Sequence, residues 1–126
     1  MSREIVFTDG APAPIGPYSQ AVSANGFLFV SGQIPLDPAT GQMVQGSIAA
    51  ETRQVMENVR AILKAANLDL PNVVKTSIFL TDMRDFAVLN EEYGKYFVKD
   101  PPARETVQVA GLPKGAHVEL SVVAAY

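Results

Sequence analysis

The chain has 126 residues, the length of one domain, with 48% apolar residues and a formal net charge of −3. Lysines and arginines are scattered, which leaves a nucleic-acid surface unsupported; no stretch nears the ~20 apolar residues of a membrane span; and cysteine is absent, which excludes disulfides and thiolate chemistry. Charged residues make up 18%, below the usual ~25%, a shortfall that reads either as surface buried between subunits or as ordinary scatter. His117 is the only histidine, so neither a catalytic triad nor a multi-histidine metal site is expected. The start, Met1-Ser2-Arg3-Glu4-Ile5, lacks the apolar run of an export signal, and a cytoplasmic setting is the expectation.

Ile5–Phe7 reads as a short first strand, followed by a segment, Ala11 to Pro17, whose three prolines exclude helix and central strand. Asn25-Gly26 lies between the apolar runs Ala21–Ala24 and Phe27–Val30, the pattern of a tight hairpin. A turn-rich stretch, Pro35 to Gly41, comes next. Ile48, Thr52, Val55, Val59, Ile62, Leu63 and Ala66 then recur at spacings of three and four, one face of an amphipathic helix with Ser47 as its N-cap and Pro71 limiting its end. The β-branched run Val73–Leu80 predicts a central strand.

Asp82 is expected to cap a second helix, with Phe86, Leu89, Tyr93 and Phe97 as its apolar stripe and Pro101-Pro102 as its stop. Two strands, Arg104–Val109 and His117–Val122, close the chain around Gly111-Leu112-Pro113-Lys114-Gly115. The order β-β-β-α-β-α-β-β makes an α+β fold, a mixed sheet with two helices on one face, in a single domain spanning residues 1–126. Its other face is left bare and partly apolar, for which homo-oligomerisation is the simplest cover.

Two charges interrupt the last strands. Side chains alternate along a strand, so Arg104, Thr106 and Gln108 share one face, as do His117, Glu119 and Ser121. If those faces meet on neighbouring strands, a guanidinium and a carboxylate line one pocket. The first binds a carboxylate in bidentate fashion; the second can deprotonate a water. Each also has a plain reading: Arg104 as a structural partner of Glu105 or Asp100, and Glu119 as an edge-strand guard facing water. Tyr18 after a rigid loop, Ser31 beside Gly32 and Asn90 in mid-helix are further polar candidates with ordinary packing or solvent roles as alternatives. His117 reads as a solvated strand residue.

The motifs Ile15-Gly16-Pro17-Tyr18-Ser19-Gln20, Val30-Ser31-Gly32-Gln33-Ile34-Pro35, Asn90-Glu91-Glu92-Tyr93, Pro102-Ala103-Arg104 and Val118-Glu119-Leu120 occur in this order. Together they resemble the reactive intermediate deaminase family (RidA, also called the YjgF family) over essentially the whole chain. The resemblance implies a chorismate-mutase-like fold and a homotrimer with a central β-barrel and clefts at the subunit interfaces. It also implies cofactor-free hydrolysis of 2-imino acids or enamines, such as 2-iminobutanoate and 2-iminopropanoate, to 2-keto acids and ammonia. Its pocket residues fall on Tyr18, Ser31, Asn90, Arg104 and Glu119. Thr106 stands where the family often has cysteine, whose backbone N–H a threonine can supply. Gly111 and Gly115 replace a common Arg and Asp in the closing loop. The resemblance also leaves room for a non-enzymatic regulator that binds a keto acid or other small carboxylate.

Overall fold

The computed structural model describes residues 2–126. Six strands form one mixed sheet: β1 (Arg3–Val6), β2 (Ala21–Ala24), β3 (Phe27–Gln33), β4 (Val73–Leu80), β5 (Ala103–Gln108) and β6 (Val118–Ala125). Their spatial order is β1-β2-β3-β6-β4-β5, with β4 and β5 parallel and every other pair antiparallel. Helices α1 (Ile48–Ala65) and α2 (Phe86–Gly94) fill the two crossovers, giving the expected α+β architecture.

The local causes are those read from the chain. Asn25 and Gly26 both take positive φ, 56° and 85°, and turn β2 into β3. Ser47 caps α1 through a 3.0 Å hydrogen bond accepted from the Ala50 N–H. The helix ends before Pro71 is reached: Asn67 turns left-handed at φ 61°, and the Leu68 N–H closes onto the Leu63 carbonyl at 2.9 Å. Val55, Met56, Val59, Ile62 and Leu63 of α1 are fully buried against Leu28, Ile78, Leu80, Val118 and Leu120 of the sheet. Each such side chain contributes roughly 1.5–3 kcal/mol through its removal from water.

The second helix departs from expectation at both ends. Asp82 accepts from the Arg84 N–H and caps a short 3-10 turn, Met83–Asp85, which leads into α2. The helix stops at Gly94, short of Phe97, which packs its ring on Tyr93 with centroids 4.9 Å apart. Arg53 on α1 reaches Glu92 on α2 at 3.3 Å, and Tyr96 donates to Glu57 at 2.8 Å, so α2 is fixed laterally by polar ties as well as by packing.

The pairing register defines two faces. Val30, Val122, Thr76 and Arg104 form one row, under the helices; Ile5, Val22, Phe29, Val123 and Lys75 form a row on the other face. Among the described residues no helix covers that second face, where Phe27 and Phe29 are 41% and 48% exposed.

Gln20, 2% exposed, ties the proline-rich loop to β2. Its carbonyl accepts from the Thr8 N–H at 2.7 Å, and its amide donates to the Thr8 and Pro12 carbonyls at 3.0 and 2.9 Å. Gln20→Leu keeps the volume but strands these backbone groups, a cost of roughly 2–3 kcal/mol. Urea unfolding of wild type and variant at equal protein concentration checks it; an unchanged midpoint refutes the anchor.

Candidate active site

Glu119 lies on β6, in the middle of the sheet, on the bare face. Its register partner is Phe79 on β4, on the row that also holds Val107. It is not an edge-strand guard, since β3 and β4 flank β6 on both sides. The carboxylate is half-buried in a cavity of about 290 Å³ lined by Ile15, Tyr18, Ser31, Gly32, Ile34 and Pro113. Among the described residues it makes no ion pair, and burial raises its pKa above the ordinary glutamate value of 4.5. A water-facing carboxylate with raised basicity and no cation beside it is chemically equipped to take a proton.

The glycine next to it leaves room for the carboxylate. A methyl group on Gly32 would lie 2.5 Å from Oε2 of Glu119, inside contact distance. The β3–β6 register also slips between Val30 and Gln33, so Ser31 and Gly32 bulge where Glu119 approaches. The bulge brings the Ser31 hydroxyl onto the Ser19 carbonyl at 2.6 Å, and the Ser31 N–H onto the Gln20 carbonyl at 2.9 Å. Tyr18 bends back so that its hydroxyl accepts from the Ile15 N–H at 3.1 Å, folding the loop into the cavity wall.

Arg104 is elsewhere. It lies on edge strand β5, opposite Thr76 and on the helix-covered face. Its guanidinium carbon sits 5.1 Å from the Tyr93 ring centroid and 5.6 Å from that of Phe86. The Tyr93 hydroxyl is held by Thr76 Oγ1 at 2.9 Å, which fixes this aromatic shelf, and burial pushes the phenol's pKa up. The ion pairs of the plain reading do not form: Glu105 points to the other face, where it binds Lys75 at 2.9 Å, and no carboxylate among the described residues pairs with Arg104. Asn90 follows Phe86 by four residues and precedes Tyr93 by three, so it shares their helix face. Asn90 Oδ1 and Thr106 Oγ1 are both buried without a partner among the described residues.

The six residues singled out in the sequence therefore fall into two groups. Tyr18, Ser31 and Glu119 line the cavity on the bare face; Arg104, Thr106 and Asn90 belong to the edge formed by β5 and α2. The expectation that the Arg104 and Glu119 faces meet on neighbouring strands fails within one protomer. Strand β4 separates β5 from β6, and pairing sets the two side chains on opposite faces.

His117 is solvated, as expected, but it precedes β6 rather than lying within it, and it has a partner. Its ring is partly exposed but not free: Nδ1 lies 2.7 Å from Glu51 Oε2, and its backbone N–H donates to Oε1 of the same carboxylate at 3.1 Å. Sequence patterning missed this pair because the two residues are 66 positions apart and joined only by the fold. Gly32's steric role was signalled only by its place beside Ser31. Among the described residues no three His, Cys, Asp or Glu side chains gather as a metal-holding group.

A sequence profile of the family described as Endoribonuclease L-PSP matches residues 8–126. The chain is 48% identical, over 97% of its length and 89% of the relative's, to the human protein named 2-iminobutanoate/2-iminopropanoate deaminase. The crystal structure of RidA from an Antarctic Psychrobacter species superposes with a TM-score of 0.94 at 44% identity, covering 98% of this chain and 99% of that one. Escherichia coli TdcF with bound serine matches equally well, with a TM-score of 0.94 at 40% identity over 98% of each chain.

Gly32→Ala is expected to leave the sheet folded but displace the Glu119 carboxylate. Displacements on the order of 1 Å can cost about 100-fold in catalysis. The outcome is a loss of that order in kcat/KM with an unchanged far-ultraviolet circular dichroism spectrum; retained turnover would show that the close approach is inconsequential.

Proposed function

Since the chain belongs to the endoribonuclease L-PSP family, which includes RidA and the imine deaminase it matches, we propose that it hydrolyses 2-imino acids to 2-keto acids and ammonia. The observation that carries this reading is the pair of uncompensated charges, Arg104 on one face and Glu119 on the other. Arg104 lies on the edge strand against an aromatic shelf, and Glu119 lies in a half-buried cavity on the central strand, on a bare face that needs a cover. In a homotrimer the edge of one subunit, with Arg104, Thr106 and Asn90, is laid beside the next subunit's cavity, with Tyr18, Ser31 and Glu119. A cyclic assembly repeats that junction identically and closes the sheets around a central barrel.

Arg104 forks onto the substrate carboxylate, assisted by the Thr106 backbone N–H, while its aromatic shelf restrains the guanidinium. Glu119 takes a proton from water as the water oxygen bonds to the imine carbon and the C=N pair moves to nitrogen. The protonated carboxyl returns that proton to nitrogen, giving a carbinolamine; Glu119 then relays the hydroxyl proton to the amine nitrogen as the C–N bond breaks, the oxygen pair forms the ketone and ammonia leaves with the C–N pair. Tyr18, Ile15 and Ile34 enclose the substrate's aliphatic side chain. No step draws on a cofactor. Free imines hydrolyse in water unaided, so the acceleration required is modest and positioning supplies much of it.

The test couples a threonine dehydratase to the purified protein, with semicarbazide to trap free imine. Wild type should speed 2-ketobutyrate release and reduce trapping. Arg104→Ala should abolish both effects, and Glu119→Gln should impair turnover more than keto-acid binding. Saturable 2-ketobutyrate binding with no imine turnover in wild type would refute the enzyme in favour of a small-carboxylate regulator.

The two-face geometry adds a sharper test. Arg104→Ala and Glu119→Gln protomers, each inactive, are unfolded together and reassembled. In a cyclic trimer every mixed assembly contains one junction with both native residues, so about a quarter of all junctions recover. No recovery on mixing would mean that both residues act within one protomer or that the assembly is different.

Glu119 must be ionised to act. Its folded pKa is raised, so kcat/KM should fall as pH drops through a midpoint above 4.5. That acid limb should be absent from the residual activity of Glu119→Gln; an unchanged limb would assign it to another group.

A further inference from the structure

Glu51 is 3% exposed, in the first turn of α1, and its two oxygens meet a single residue. One accepts the His117 backbone N–H at 3.1 Å and the other faces Nδ1 of its ring at 2.7 Å. A carboxylate only accepts, so Nδ1 carries the proton. On its other side the His117 carbonyl accepts from the Thr81 N–H at 3.2 Å, at the start of the β4–β6 ladder. His117 is thereby fixed at backbone and ring together.

What it fixes is the entrance to the Glu119 cavity. Upstream, Lys114 and Gly115 take positive φ, 57° and 71°, in the turn that presents Pro113 as a cavity wall. Ala116 is buried with Ile34 and Leu36, and Ile34 is itself part of that wall. Downstream, Val118 is fully buried and Glu119 follows it. His117 thus sits between the wall and the carboxylate, two residues from Glu119. The ring also borders a separate cavity of about 430 Å³ that includes Glu51, Asp85 and Gly115, which keeps it open to proton exchange.

We propose that Glu51 and His117 are a positioning clasp for the Glu119 cavity, holding Pro113 and the start of β6 through a charge-assisted bond. Its catalytic consequence rests on the reading of Glu119 given above. Two charged groups face the ring, Glu51 from α1 and Asp85 from the turn ahead of α2. The hydrogen bond to Glu51, then the charge of Glu51, raise the imidazole pKa above its ordinary 6.5; Asp85 adds to this, and desolvation opposes it. A raised base contributes fully below the unfolded value and loses its contribution as pH rises through the folded one. The clasp therefore grips as imidazolium and slackens as pH rises through the ring's raised pKa, when the buried carboxylate retains only a neutral donor.

Because His117 is the only histidine, its titration is read directly by nuclear magnetic resonance on the whole protein. The ring should titrate above 6.5 in wild type and at a lower pH in Glu51→Gln. The amides of Ala116 and Val118 and the Glu119 side-chain carboxyl carbon should shift with the same midpoint in wild type only. In turnover, His117→Gln should lower kcat several-fold with little change in KM, and should remove the matching alkaline step from the pH profile. Equal ring midpoints in wild type and Glu51→Gln, or a Glu119 carbon indifferent to the His117 titration, overturn the clasp. Absence of imine turnover in wild type overturns the deaminase reading alone, and the Glu119 carbon still decides this one.

Discussion

The placement of β6 between β3 and β4 governs the site. It makes Glu119 a central residue of the sheet, shielded on both sides by backbone, and leaves β5 as an edge beyond β4. With a side-chain period of two, the same register that pairs Phe79 with Glu119 and Thr76 with Arg104 sets carboxylate and guanidinium on opposite faces. Neither neutralises the other in a single chain. Each keeps its charge for something else: Arg104 on an aromatic shelf, Glu119 in a half-buried cavity where its pKa is raised. An ion pair between them in one protomer would have consumed both functions, since a paired carboxylate is a weaker base and a paired guanidinium is not free to fork onto a ligand.

The supports of the cavity share a pattern: buried polar side chains that hold backbone. Gln20 grips the loop that carries Ile15 and Tyr18. Asn58 on α1 donates to the Ile34 and Leu36 carbonyls at 3.3 and 2.9 Å. Glu51 holds the His117 N–H. All three are nearly inaccessible to water, so release of any one leaves backbone groups unsatisfied at a cost of about 1–3 kcal/mol each. The wall of the cavity is therefore irregular chain made rigid by side chains from regular elements, which is what a site requiring fixed geometry demands.

Much of this was legible in the chain. Alternation, the Asn25-Gly26 turn and the three-and-four spacing of α1 are local signals, and the elements they predict are present. The ordered motifs also identify the family. The pairing of β6 with β3 and β4 was not legible, because pairing is set by whole-sheet topology rather than by any strand's own composition. From the strands alone, Arg104 and Glu119 seemed destined for one pocket. The Glu51–His117 pair and the steric demand of Glu119 on Gly32 are likewise products of tertiary approach. Asp82 illustrates a subtler limit: an acidic cap before an apolar stripe looks the same whether the first turn is α or 3-10.

The bare face is poor in charge. Its central row runs Ile5, Val22, Phe29, Val123, all apolar, and the first charge in it is Lys75 near the β5 edge. That lysine is matched within the chain: Glu105 binds it, Ser77 donates to the same carboxylate, and these two bonds hold the Glu105 carboxyl below the ordinary glutamate range, Ser77 having the larger effect. Burying a charge is costly chiefly when it arrives unpaired. A face whose charges are already satisfied, beside an apolar strip, can be covered by another copy of itself at little electrostatic cost. Glu119, in its cavity on this face, and Arg104, on the β5 edge of the opposite face, have no ionic partners among the described residues. In the proposed trimer, a copy that covers the apolar strip while bringing the Arg104 edge to the next subunit's Glu119 cavity would gain both a buried interface and the proposed pair of functional groups.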